Sequence, residues 1–149
     1  MIAIADIKRT FDDPAILNIF ADCMYMPTPE KLRLRAAEYM GNDSMRLFGA
    51  YDGGKIAGVI AVEARQTGPA EIKGIAVDSN FRKRGIGGAL IRRVCETLCV
   101  AELTAETDDD AVGFYERCGF VSEKFQKRAG NEEYTRYRCV LRSSLISKD

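Results

Sequence analysis

A strand-like stretch, Glu71 to Asp78, runs into Arg82-Lys83-Arg84-Gly85-Ile86-Gly87-Gly88-Ala89-Leu90, which opens an amphipathic helix-like stretch from Ile86 to Leu98. A strand feeding a glycine-rich turn at the start of a helix is an anion-binding device. The glycines let backbone N–H groups approach a phosphate, and the helix N-terminus adds positive potential. Lys83 and Arg84 add formal charge at the same place. The pattern predicts a phosphorylated cofactor.

Three phosphate-binding patterns compete for this turn. The mononucleotide loop requires a Lys-Ser/Thr pair after its glycines, and Gly85 to Leu90 has none. The dinucleotide fingerprint requires a third glycine three residues after the second, where this chain has Leu90. The third pattern, Arg/Gln-x-x-Gly-x-Gly/Ala, is met by Arg82, Gly85 and Gly87.

A second element lies about thirty residues downstream, in Ala111-Val112-Gly113-Phe114-Tyr115-Glu116-Arg117-Cys118-Gly119-Phe120. Together with the strand Ala70 to Val77, the two elements resemble the GNAT N-acetyltransferases. In that family the glycine turn binds the pyrophosphate of coenzyme A, and an Ala-x-x-x-Tyr-x-x-x-Gly-Phe helix follows. The resemblance is specific from Ala70 to Phe120 and architectural elsewhere. One position departs from it: Asp108 stands seven residues before the tyrosine, where the family often has Asn.

Length and composition agree with a single domain over residues 1–149, large enough to bury a core without disulfide support. Acidic and basic residues balance at 22 each, which argues against a protein built to hold nucleic acid. The five cysteines, Cys23, Cys95, Cys99, Cys118 and Cys139, are odd in number and irregularly spaced. With no secretory signal they are expected as reduced thiols in a cytoplasmic protein. Cys95 and Cys99 share a helical face, but two thiols in a chain without histidine make a poor metal site, so no metal is expected. No apolar run approaches the ~20 residues that span a bilayer.

Periodicity and turn signals give the rest of the order. Met1 to Lys8 reads as a strand. Pro14 suits the first turn of a helix capped by Asp12 or Asp13, and Thr28-Pro29-Glu30 starts a second one that stops at Gly41-Asn42. Met45 to Tyr51 and Lys55 to Ala64 form a hairpin around Asp52-Gly53-Gly54. Glu102 to Thr107, Phe120 to Gln126 and Tyr134 to Leu141 supply further strands. The expected order is β-α-α-β-β-β-α-β-α-β-β. It is the order of the GNAT fold, an α/β class with a mixed, strongly twisted sheet flanked by helices.

The resemblance implies acetyl-CoA as cosubstrate and transfer of acetyl to an amine. It assigns coenzyme binding to Ile75, Ala76 and Val77 through their main chain, to the loop Arg82, Lys83, Arg84, Gly85, Ile86, Gly87, Gly88 and Ala89, and to Asp108 and Tyr115. Asp109 and Asp110, with Asp108, also suit the positive end of the following helix. Tyr115 is the candidate general acid, since a phenol of ordinary pKa ~10 can protonate a departing thiolate of pKa ~8.5. Glu71, eleven residues before Arg82, matches the catalytic glutamate of the histone-acetylating branch and is the candidate base. Packing of Tyr115 in the core, and pairing of Glu71 with Lys73, are the competing structural roles.

The expected acceptor is a small-molecule amine or a peptide or protein amine, with no nucleic-acid or membrane partner and with a homodimer as one assembly. Peptide N-termini, lysine, polyamines, amino acids and antibiotics all fit the pattern. The alternative from another class is a non-catalytic coenzyme A-binding regulatory module.

Overall fold

A computed structural model describes residues 1–142. Its strands are β1 (Ile2–Asp6), β2 (Met45–Asp52), β3 (Lys55–Glu63), β4 (Ala70–Val77), β5 (Glu102–Thr107), β6 (Val121–Ala129) and β7 (Glu132–Arg142). Its helices are α1 (Pro14–Phe20), α2 (Pro29–Met40), α3 (Ile86–Leu98) and α4 (Val112–Arg117). The order agrees with the sequence reading element by element. Three short 3-10 turns, Lys8–Thr10, Ala21–Cys23 and Ser79–Phe81, are added.

Local chemistry sets the boundaries. The Asp13 carboxylate accepts the Ala15 N–H at 2.8 Å and Thr28 Oγ1 accepts the Lys31 N–H at 3.1 Å, each just before a proline in the first turn. The β2–β3 hairpin turns on Gly53 and Gly54, both at positive φ (62° and 82°), as a tight hairpin turn requires.

The seven strands form one sheet in the order β1-β2-β3-β4-β5-β7-β6. Every neighbouring pair is antiparallel except β4 and β5, which run parallel. On β4 the register slips: Ala61 faces Gly74 and Val62 faces Ile72, which leaves Lys73 as a bulged residue. The β4–β5 ladder holds only two register pairs, Ala70 with Leu103 and Glu71 with Thr104. Beyond Glu71 the two strands part.

Helices cover both faces. On one, Leu90, Ile91 and Val94 of α3 and Tyr115 of α4 bury Ile60, Val62, Ile72, Leu103 and Ala105. On the other, α1 and α2 cover Leu47, Val59, Ala61 and Ala76, around an aromatic trio of Phe11, Phe20 and Tyr39 with ring centroids 5.2–6.1 Å apart. Among the described residues, no helix is long and apolar enough to cross a membrane.

α3 can approach the sheet this closely because β3 has a glycine beneath it. A Cβ on Gly58 would lie 2.9 Å from Ile86 Cγ2, 3.3 Å from Leu90 Cδ1 and 3.2 Å from the Ala76 carbonyl oxygen. Gly58→Val should therefore overpack this contact and lower unfolding free energy by about 1–3 kcal/mol. Urea denaturation of the two proteins measures it; equal midpoints would show that α3 has room to shift.

Candidate functional site

Where β4 and β5 part, a cavity of 1110 Å³ opens. Its walls are β4 from Ile72 to Val77, the end of β5 and the residue after it (Glu106 to Asp108), the glycine loop, and Phe114 and Tyr115 of α4. A crevice at the carboxyl ends of parallel strands is where open α/β sheets expose main-chain groups that no neighbouring strand can pair.

The loop enters α3 through Gly85, whose φ of +75° is the left-handed conformation natural to glycine. Lys83 is left-handed too, at φ +65°, which is uncommon for a residue with a side chain. The two glycines inside α3 do different work. A Cβ on Gly87 would come within 2.7 Å of the Phe114 ring, so Gly87 lets α3 and α4 touch. A Cβ on Gly88 would meet nothing within 4 Å, and Gly88 lines the cavity. Gly88 is the glycine at which the first turn of α3 lies open.

The arginines of the loop also separate. Arg82 lines the cavity; its Nε donates to the Val77 carbonyl at 3.3 Å and its Nη2 lies 3.7 Å from Asp22. Arg84 turns away, pairing with Asp52 at 3.1 Å with its guanidinium 5.3 Å from the centre of the Phe81 ring. Arg84 and Ala89 are thus the two loop residues of the sequence-based set that do not line the cavity. Arg84 ties the loop to the β2–β3 turn, and the Ala89 N–H makes the first α3 hydrogen bond, to the Gly85 carbonyl at 3.0 Å.

Ile75, Ala76 and Val77 line the opening, on the stretch of β4 that β5 has left. Cys23, from the turn after α1, covers part of it: a Cβ on Gly74 would lie 3.0 Å from Cys23 Sγ. Burial pushes the Cys23 thiol up to about 12, Asp22 acts in the same direction, and the Ile75 N–H opposes them. Cys23 is accordingly a thiol, not a thiolate, at neutral pH.

Tyr115 lines the cavity and is only 6% exposed. Its ring packs edge-on against Phe114 and Phe120, with both centroids at 5.2 Å. Burial raises its pKa above the ordinary tyrosine value, and the sulfurs of Cys23, Cys139 and Cys118 act the same way. Packing and a protonated phenol at the cavity wall coexist in this one residue. Asp108 also lines the cavity, with its carboxylate accepting the N–H groups of Asp110 and Ala111 at 3.1 Å each. Glu71 stands apart: it is outside the lining, half exposed, and 3.5 Å from Lys73 Nζ.

Sequence reasoning gave no site role to Glu106, Arg117, Lys73 (seen only as a partner for Glu71) or Arg136 (read as part of a solvated strand face), all of which line the cavity. Lys73 owes its place to the bulge. Glu106 and Arg136 are thirty residues apart and meet only because β5 and β7 pair. Burial would raise the Glu106 pKa, but hydrogen bonds from Lys127 and Arg136 and the charges of both outweigh it, so the carboxyl is held below the usual range.

The architecture recurs in solved structures. The ribosomal-protein-S18-alanine N-acetyltransferase of Escherichia coli is 22% identical with a TM-score of 0.74, over 100% of this chain and 96% of that one. A variant of the spermidine N-acetyltransferase of Vibrio cholerae is 17% identical with a TM-score of 0.76, over 97% and 95%. A GNAT family acetyltransferase from Elizabethkingia anophelis, with acetyl-CoA bound, is 21% identical with a TM-score of 0.66, over 95% and 97%. Identities this low speak for the fold alone. No curated protein matches the sequence. The family itself is shown by sequence, because the profile of the acetyltransferase (GNAT) family matches residues 14–120. That span holds the parted strands, the glycine loop and Tyr115, and the chain belongs to the GNAT acetyltransferase family.

Proposed function

We propose that this protein is an acetyl-CoA-dependent N-acetyltransferase that moves acetyl to a primary amine by direct attack on the thioester. The observation that carries the reading is the continuity of one cavity from the glycine loop, along the unpaired stretch of β4, to the phenol of Tyr115. The residues present fit coenzyme A. Loop N–H groups at the start of α3, with Arg82 and Lys83, suit a diphosphate. The free edge of β4 suits an extended chain that carries its own amides, as an added strand would. The coenzyme supplies an activated acetyl group and a thiol leaving group.

The chain's own contribution is alignment and proton management. Holding both reactants in one cleft can supply about 7–11 kcal/mol of the barrier. A main-chain N–H near Ile75 polarises the acetyl oxygen. Tyr115, kept protonated by burial, donates to the departing sulfur. Glu71, whose half-exposed carboxylate sits next to the bulge and outside the cavity lining, removes the acceptor's proton by way of water. Two structural relatives bear names that place acetyl on nitrogen, that of spermidine and that of an alanine. Those names support an amine acceptor here.

Coenzyme binding is tested at the open glycine. Acetyl-CoA at 100 times its Kd should stabilise the fold by ~2.7 kcal/mol, seen as a rise in Tm that NAD and ATP do not produce. Gly88→Glu places a carboxylate in open space at the start of α3. It should fold normally and lose the acetyl-CoA shift. A full shift in this variant would move the diphosphate elsewhere. Gly87 is the wrong position for the experiment, because a side chain there strikes Phe114.

Tyr115→Phe removes one oxygen and keeps the ring packing. Turnover should fall tenfold or more while the acetyl-CoA shift persists, and the deficit should narrow at high pH, where the thiolate needs less help to leave. A Phe variant with parental turnover would make Tyr115 a packing residue only. Turnover of acetyl-CoA with any amine separates an enzyme from a binding module without catalysis.

Glu71→Gln preserves shape and removes the base. The transfer rate should drop by about 10²–10⁴, with acetyl-CoA affinity retained. A normal rate across the pH profile would assign the proton to water alone.

A further inference from the structure

The cavity has a second charged end, and the transfer chemistry leaves it unused. Glu106 and Arg136 line it together. Glu106 of β5 lies opposite Arg138 of β7, so Arg136, two residues along, projects from the same face of the sheet. Leu103 and Ala105 are buried with α3 on the opposite face. Glu106 and Arg136 therefore stand on the α1–α2 side of the sheet. There α1 rests on β3 and β4, and the cleft between β4 and β5 separates it from this pair.

One carboxylate here faces two cations. Arg136 Nε and Lys127 Nζ each donate to Glu106 Oε2 at 3.0 Å. The three side chains together carry one net positive charge; Glu106 and Arg136 line the cavity, as does the Asp108 carboxylate, which is taken up by the N–H groups of Asp110 and Ala111. Glu106 uses only the Nε side of the guanidinium, and among the described residues Arg136 pairs with no other carboxylate. An arginine pinned at Nε and 26% exposed is a preorganised fork, and its terminal nitrogens match a planar carboxylate.

The other cations of the cavity belong to other elements. Arg82 and Lys83 belong to the glycine loop. Lys73 lies between Glu63 at 3.8 Å and Glu71 at 3.5 Å. Arg117 folds back along α4, with Nη1 3.3 Å from where a Gly113 Cβ would be.

We propose that Arg136, held by Glu106, recognises a carboxylate on the acceptor, so that the amine substrate is an amino acid or another compound carrying both groups. This rests on the transfer reading above. The acceptor's ammonium would then lie towards Glu71 on one side of the cleft and its carboxylate towards Arg136 on the other. The bridge from Lys127 and Arg136 to Glu106 sets the guanidinium; it does no proton transfer.

The test uses matched acceptors: glycine, alanine and glutamate against glycinamide, alaninamide and glutamic acid α-amide, with acetyl-CoA saturating. Amides have the more readily deprotonated amine, so a preference for the free acids runs against intrinsic reactivity. Expected is a kcat/KM ratio of about tenfold or more in favour of the α-carboxylate of at least one pair, carried mainly by KM. Arg136→Gln should bring the ratio towards one, and Arg136→Lys should restore part of it. Equal kcat/KM for acid and amide in every pair of the unmodified protein would overturn the proposal, whether or not the variants fold. So would an acid preference that survives in folded Arg136→Gln.

A binding measurement separates this proposal from the one beneath it. Calorimetric titration of the coenzyme A-saturated protein with N-acetylglycine, N-acetylalanine and N-acetylglutamate, each against its α-amide, needs no turnover. Tighter binding of a carboxylate with no amine turned over would overturn the transfer reading and leave the subsite standing. Amide turnover with no carboxylate preference in rate or binding would do the reverse. Absence of both turnover and carboxylate binding would overturn the two together.

Discussion

Two parallel strands that pair over two residues and then part are the constraint on which the rest of this protein depends. Once β4 leaves β5 after Glu71, the main-chain groups on its facing edge have no strand partner. Such groups are costly when buried and unsatisfied, about 1–3 kcal/mol each. The cleft must therefore stay open to water or accept a ligand with backbone-like hydrogen bonds. The sheet tolerates the break because it is anchored on both sides. The antiparallel ladders β1–β2–β3–β4, with its two register shifts, and β5–β7–β6 run unbroken from strand to strand, and separate cores cover its two faces.

The helices hold the cleft at a defined width. α3 sits on β3 through Gly58 and meets α4 through Gly87, so the glycine loop and Tyr115 are fixed relative to one another by close contact. The turn after α1 brings Cys23 onto Gly74 from the opposite face. Charge is distributed along the opening in the same way. Cations of the loop mark one end, and the Glu106 triad with Lys127 and Arg136 marks the other. The opening also carries the buried phenol of Tyr115 and the half-buried thiol of Cys23, both held in their protonated forms by loss of solvent.

Much of this was legible in the amino-acid order. The caps at Asp13 and Thr28, the Gly53-Gly54 turn and the glycine loop act through bonds a few residues long, so their sequence signals are direct. The strand-loop-helix device and the tyrosine helix carried the family, because both motifs are local. The reading was coarser at single residues. Arg84 stood in the basic run with Arg82 and Lys83, yet it serves Asp52 from a hairpin thirty-two residues away. Gly87 and Gly88 look alike in sequence and differ only by whether Phe114 lies over them.

The sequence by itself determined which segments are strands and helices, where the glycine turn lies and which phenol stands near it, since each depends on neighbours along the chain. Only the tertiary structure decided that Lys73 would bulge into the cleft, that Glu71 would stand beside it outside the lining, and that Glu106 and Arg136 would share a wall. The reason is register. A strand assigns its side chains to faces by alternation, but which residue it meets across the sheet is set by pairing with a strand far away in sequence.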